Sequence, residues 1–160
     1  IKNGATTMWE RWNSWTEEKG FGPVEMNSFN HYAYGAIGEW LYQRVCGIAP
    51  HPDYPGYERA VLAPLPGGGM SRGGGSLDTR VGTFVSKWQV KGSKFIFNFI
   101  IPEGAEAVLR LPAAKWSQIQ LDGRSVPTKF KQQTSSNYVK CQLLLPAGKY
   151  QIEIKHYLAH

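Results

Sequence analysis

The sequence predicts an α+β chain organised by segment, a helix-bearing first part followed by an antiparallel β-sandwich or jelly roll. Three observations carry this. Residues 28–45 space their apolar side chains as a helix does, and from Tyr57 onward the hydrophobic period falls to two. Turn signals rich in Gly, Pro and Asp-Gly then recur between short runs of β-formers. At 160 residues and 42% hydrophobic the chain has ample material for a packed core. The opening Ile-Lys-Asn-Gly-Ala-Thr-Thr has neither an initiator Met nor the pattern of a signal peptide, so the chain reads as a piece of something longer.

Residues 4–27 are rich in Gly, Thr, Trp and Asn, and Gly20, Gly22 and Pro23 break regular structure. A loop is predicted there, with one short helical turn near Met8–Trp15. A helix follows from Ser28 to Val45: Ser28 can cap it, Gly47 can end it in the left-handed conformation, and Pro50 and Pro52 block continuation. Ala33, Ile37, Trp40, Leu41 and Arg44 share one side of it, and Gly35, Ala36 and Gly38 leave a smooth strip for a neighbouring helix. His51 to Gly56 reads as a stiff linker, which divides the chain into residues 1–52 and 53–160. Beyond it, Phe84, Ser86, Trp88 and Val90 alternate along one strand, and Phe95, Phe97, Phe99 and Ile101 along the next. Further strands are predicted at Ala105–Leu111, Trp116–Leu121, Val126–Phe130, Tyr138–Leu145 and Tyr150–His156. Asp122-Gly123 suits a primed hairpin turn, and Pro146-Ala147-Gly148 a second reversal.

Charge excludes little by its total of +6 but more by its distribution. Residues 1–50 carry four basic and five acidic side chains, the rest fourteen and seven. The basic residues of the second part are scattered between apolar positions, with no run and no nucleic-acid motif, so a solvated sheet surface is expected rather than a nucleic-acid partner. No window approaches the ~20 apolar residues of a membrane span. Cys46 and Cys141 have no second member at metal or redox spacing. The triplets Gly67–Gly69 and Gly73–Gly75 lack the Lys-Ser or Lys-Thr and the helix start of a phosphate loop, and are expected to form a flexible loop between strands.

The candidate chemistry lies in the first part. Trp9-Glu10-Arg11-Trp12 sets a carboxylate among indole rings, the surroundings of a sugar site in which rings stack on C–H surfaces and a partly desolvated carboxylate does acid or base work. A surface Glu10–Arg11 pair beside core tryptophans is the bland alternative. His31, in the first turn of the predicted helix, could point an imidazole from a rigid element into a pocket. Glu17, Glu18 and Glu25 read as solvated charges, and Glu39 as a structural partner.

Residues 4–12 (Gly-Ala-Thr-Thr-Met-Trp-Glu-Arg-Trp) and 28–42 (Ser-Phe-Asn-His-Tyr-Ala-Tyr-Gly-Ala-Ile-Gly-Glu-Trp-Leu-Tyr), in this order, resemble the end of the catalytic domain of bacterial α-L-rhamnosidases of glycoside hydrolase family 78. The resemblance continues through Ala63-Pro64-Leu65-Pro66-Gly67-Gly68-Gly69 and Gly82 to Trp88 into what is similar to the family's C-terminal sandwich. Asn13-Ser14 departs from the Asp-Gly that often follows the Trp-Glu-Arg-Trp motif, and the carboxylate stays in place. The resemblance implies that residues 1–52 end an (α/α)6 barrel that removes terminal α-L-rhamnose with inversion, without a metal or other cofactor. It further implies Glu10 as general base, His31 as a sugar contact, and Trp9 and Trp12 as pocket walls. The general acid is then expected in an earlier segment of the barrel. The expected partners are a rhamnoside, bound by the complete catalytic domain, and the remainder of the parent chain. The competing reading is a carbohydrate-binding or purely structural sandwich, whose sugar platform would be an exposed Trp88 or Trp116.

Overall fold

The computed structural model describes residues 2, 4–112, 115–132 and 141–157. The chain forms two compact units, Ile1–Glu39 and Trp40–His160. Among the described residues it is mostly β, with one short α-helix.

The first unit has little regular structure. Strands β1 (Trp15–Thr16) and β2 (Gly20–Phe21) pair antiparallel around a turn in which Lys19 N–H donates to Thr16 Oγ1 at 3.1 Å. A 3-10 turn at Val24–Met26 follows the extended Pro23. Of the helical turn expected near Met8–Trp15, the structure forms a single hydrogen-bonded turn, Ser14 N–H to Arg11 O at 3.2 Å, and no helix. The predicted helix over 28–45 begins later, as a 3-10 turn at Tyr32–Gly35 that leads into α1 (Ala36–Trp40) and then a π-helical turn at Leu41–Cys46. Ser28 does not cap it, because its backbone is engaged elsewhere, as described below.

The end of this helical segment belongs to the second unit and is fixed within it. Gly47 adopts φ +73° and donates its N–H to Tyr42 O, as predicted for a left-handed stop. The last carbonyls of a helix lack intrahelical donors. Here Leu65 N–H reaches Arg44 O at 3.0 Å, Trp88 Nε1–H reaches Val45 O at 2.6 Å, and Ala63 N–H reaches Gly47 O at 2.8 Å. The hydroxyl of the fully buried Ser86 donates to Cys46 O. Four successive carbonyls therefore find their donors in β6 and in the segment that follows β4.

That sheet has nine strands among the described residues: β3 (Ile48–Pro50), β4 (Arg59–Leu62), β5 (Arg72–Thr79), β6 (Gly82–Lys91), β7 (Lys94–Leu111), β8 (Ile119–Leu121), β9 (Arg124–Ser125), β10 (Lys131–Gln132) and β11 (Cys141–Lys155). Its frame is the long antiparallel pair β7–β11, flanked on one half by β6 and β5 and on the other by β4, with β3 beyond it. The pairing of β4 with β7 is parallel, an exception to the antiparallel expectation.

Two expected breaks are bends. Phe95–Ile101 and Ala105–Leu111 belong to one strand that turns at Pro102–Gly104, where Gly104 has φ +84°. Its partner shifts register between Pro146 and Gly148 instead of reversing. Asp122 and Gly123 do form the predicted hairpin turn, at φ +49° and +74° between β8 and β9. Trp116–Gln118 and Thr128–Phe130 are 3-10 turns where strand was predicted. Of the strand predicted at Tyr138–Leu145, residues 138–140 lie outside the described residues. Residues 51–57 connect β3 to β4 through a His51–Tyr54 bridge, with the Arg59 guanidinium 3.8 Å over the Tyr54 ring.

Alternation decides the core as predicted. Phe84, Ser86 and Trp88 of β6, Phe95, Phe97 and Phe99 of β7, and Leu143, Leu145, Ile152 and Ile154 of β11 are buried. Phe97 and Phe99 pack at 4.7 Å between centroids. Each such ring contributes roughly 1.5–3 kcal/mol by leaving water. The flexible loop expected at Gly73–Gly75 is instead part of β5. A Cβ at Gly73 would stand 2.6 Å from the Trp88 ring and one at Gly75 2.9 Å from Cys46 Sγ, so glycine serves packing here. Trp88, 2% exposed and hydrogen-bonded inward, offers no platform to a sugar.

Candidate active site

Two stretches far apart in sequence, residues 7–14 and 27–34, are laced together in the first unit. Glu10 N–H donates to Ser28 O at 2.8 Å, and His31 N–H donates to Met8 O at 2.8 Å. The Thr7 hydroxyl donates to Phe29 O, and Tyr34 Oη–H to Glu10 O at 3.2 Å. The base of the loop is closed around the buried Ser14. Its carbonyl accepts from Gly22 N–H and Asn27 Nδ2–H, both at 2.9 Å, and its hydroxyl accepts from Arg11 N–H at 3.2 Å. Loop residues of this kind acquire a defined geometry only through such non-local bonds.

The lacing fixes the Glu10 carboxylate. Oε2 accepts the Ser28 N–H at 2.9 Å, while Oε1 has no hydrogen-bond partner among the described residues. His31 Nδ1 stands 3.9 Å from the same Oε2, beyond direct hydrogen-bond reach but close enough to share a ligand. Both side chains retain access to solvent, at 19% for Glu10 and 31% for His31. The imidazole also lies 5.5 Å from the Tyr34 ring. One carboxylate oxygen is thus held by a hydrogen bond, beside an imidazole with hydrogen-bonding capacity. Such a group can take a proton from a bound water.

The four residues singled out in the sequence are placed differently. Glu10 and His31 come together. Trp9 packs edge-on against Phe29, centroids 5.0 Å apart, and Phe29 in turn against Phe21. Trp12 is fully exposed. Of the two residues that orient Glu10, Ser28 reads in sequence only as a helix cap and Tyr34 is not singled out. Nothing local marks them, because Ser28 acts through its backbone N–H and Tyr34 reaches back 24 residues.

The chain is similar to known proteins over nearly its whole length. Residues 1–45 match the bacterial alpha-L-rhamnosidase 6 hairpin glycosidase domain, and residues 47–125 the bacterial alpha-L-rhamnosidase C-terminal domain. An alpha-L-rhamnosidase of Formosa agariphila is 35% identical over 99% of the chain, which spans 17% of that relative. One from Streptomyces avermitilis is 39% identical over 75% of the chain, with 12% of the relative matched. The crystal structure of the Streptomyces avermitilis alpha-L-rhamnosidase complexed with L-rhamnose superposes with a TM-score of 0.76 at 32% identity, over 97% of this chain and 14% of that one. The alpha-L-rhamnosidase from Dictyoglumus thermophilum shares the fold at a TM-score of 0.74, over 97% of this chain and 17% of that one, at 23% identity. The chain thus covers less than a fifth of each of these proteins. Two successive domain matches and an aligned sequence across nearly its whole length establish that the chain belongs to the bacterial α-L-rhamnosidase family.

Proposed function

We propose that this chain is part of an inverting α-L-rhamnosidase in which Glu10 is the general base. The carrying observation is the part-exposed Glu10 carboxylate whose Oε2 is held by Ser28 N–H, with His31 Nδ1 3.9 Å from Oε2. In hydrolysis with inversion, one carboxylic acid protonates the leaving oxygen while a second carboxylate activates water on the opposite face, the two ~6.5–9.5 Å apart. Glu10 supplies the second function: Oε1 accepts the proton of the attacking water while Ser28 N–H keeps the carboxylate from rotating. His31 contacts the sugar, and Trp9 and Trp12 border the pocket. The acid comes from an earlier segment of the barrel in the parent chain.

In this reading the first part of the chain, to about residue 52, completes an (α/α)6 barrel. The bent sheet of the second part is the C-terminal sandwich of the family. By itself the chain is inactive, since it holds one member of the catalytic pair. The test compares the parent protein with the isolated chain on an aryl α-L-rhamnoside, following the anomeric proton by NMR. The parent should release β-L-rhamnose first and the isolated chain none. Initial release of the α-anomer would exclude inversion, and turnover by the isolated chain at ordinary enzyme rates would exclude the divided site.

A further inference from the structure

We propose that the outer face of β5, β6 and β7 binds an acidic oligosaccharide, a sugar chain bearing carboxylate or sulfate groups, in a trough flanked by Arg72, Lys87, Gln89 and Asn98. Because Phe84, Ser86 and Trp88 of β6 and Phe97 and Phe99 of β7 face the core, Lys87, Gln89 and Asn98 stand on the opposite face. The register sets Gly74, Lys87, Asn98 and Gln151 in one row across four strands, with Arg72 and Gln89 side by side in the row two residues along.

A sheet surface is ordinarily filled by its alternate side chains. Here one is missing and cannot be supplied, since a Cβ at Gly74 would stand 2.3 Å from Ser86 O. The gap opens a cavity of about 620 Å³ lined by Arg72, Gly73–Gly75, Lys87, Trp88, Gln89 and Asn98. That volume lies within the ~300–1,000 Å³ range of small-ligand sites. The Trp88 ring closes the floor from the core side, against Gly73.

The chemistry of the walls selects the ligand. Among the described residues neither Arg72 nor Lys87 has an ion-pair partner. The nearest outward carboxylate in the Gln89 row, Glu153, is taken by Lys94 at 3.0 Å. Asn98 Oδ1 accepts from Gln151 Nε2 at 2.8 Å, which leaves the Asn98 amide hydrogens as donors. The trough therefore presents a guanidinium, an ammonium and amide N–H groups with no carboxylate in its lining. A guanidinium fork matches a carboxylate or sulfate in bidentate fashion, and amides suit sugar hydroxyls. That the anion is carried on a sugar rests on the glycosidase reading above; the anion preference itself does not.

The test is calorimetric titration of the full chain with trigalacturonate, with a sulfated heparin disaccharide, and with neutral maltotriose. Saturable binding of one or both acidic probes is expected, weakening as salt rises, with no binding of maltotriose. The arm that binds more tightly identifies carboxylate or sulfate as the preferred group. Lys87→Ala with Arg72→Ala should weaken that binding at least tenfold at an unchanged melting temperature, and Glu10→Gln should leave it intact. Binding is read without turnover, so a failed rhamnosidase assay leaves this result standing. Absence of binding by both acidic probes at millimolar concentration, equal binding of maltotriose, or unchanged affinity in the double variant would each overturn the proposal. Tighter binding of a single-stranded oligonucleotide of equal charge would do so too, by showing a general polyanion surface.

Discussion

Glu10 depends for its geometry on a backbone donor eighteen residues away, and Val45 and Cys46 depend for theirs on side chains forty or more residues away. This explains which residues were legible in sequence. Glu10 and His31 stand in short motifs dense in aromatic residues, so chemistry marks them. Ser28 and Tyr34 act through a peptide N–H and a long reach, and no pattern announces either. Ser86 is a similar case, a serine in a hydrophobic alternation whose hydroxyl is the partner of Cys46 O. Ser86→Ala removes that donor and leaves a buried carbonyl unsatisfied. The expected cost is about 1–3 kcal/mol, seen as a lower midpoint in urea with an unchanged slope. Stability equal to wild type would mean that the hydroxyl bond contributes nothing net.

At the scale of elements, strand interiors were readable, whereas most element ends were not, the Gly47 stop and the Asp122-Gly123 turn excepted. The Phe ladder of β7 and the Phe84-Ser86-Trp88 face of β6 follow from the period of two, because each face meets one environment along its whole length. Ends depend on partners. The helix expected from Ser28 begins at Tyr32 because the preceding residues are held in the lacing around Glu10. Gly73–Gly75 read as loop because glycine is a weak strand former, whereas the structure uses its lack of a side chain for the Trp88 ring and Cys46. Gly47 and Gly56 separate the two demands that a glycine can meet. Both have positive φ, +73° and +79°, but a Cβ at Gly47 would stand 2.1 Å from Pro64 N, while one at Gly56 meets nothing within 4 Å. Gly56→Ala should cost on the order of 1 kcal/mol for the left-handed backbone. Gly47→Ala should cost several-fold more, since backbone must move. Thermal melts of the two variants check this, and equal losses would remove the steric part of the argument.

At the scale of the whole molecule, the sheet of the second unit supplies donors to the helical turn at that unit's own start, and in sequence this showed only as a change of period followed by the Pro-rich stretch at 51–56. The buried thiols give the second unit a pH dependence. Burial pushes Cys46 and Cys141 above the usual thiol range. In the unfolded chain both ionise near pH 8.5, so above that pH the unfolded state releases protons that the folded state keeps. Stability should be fully present below about pH 8.5 and fall as pH rises beyond it. A scan of melting temperature from pH 7 to 10 should show that fall, shallower when both cysteines are replaced by alanine; an identical slope would assign the fall to other groups. The most direct measurement concerns Glu10 in the parent protein. Glu10→Gln keeps the shape of the side chain and removes the acceptor for water's proton, so kcat for an aryl rhamnoside should fall ~10²–10⁴-fold. KM should change little and the fold should be unaltered, provided KM reflects binding. A correctly folded Glu10→Gln enzyme that keeps more than about a tenth of wild-type kcat, well short of the loss expected for a base, would contradict the assignment.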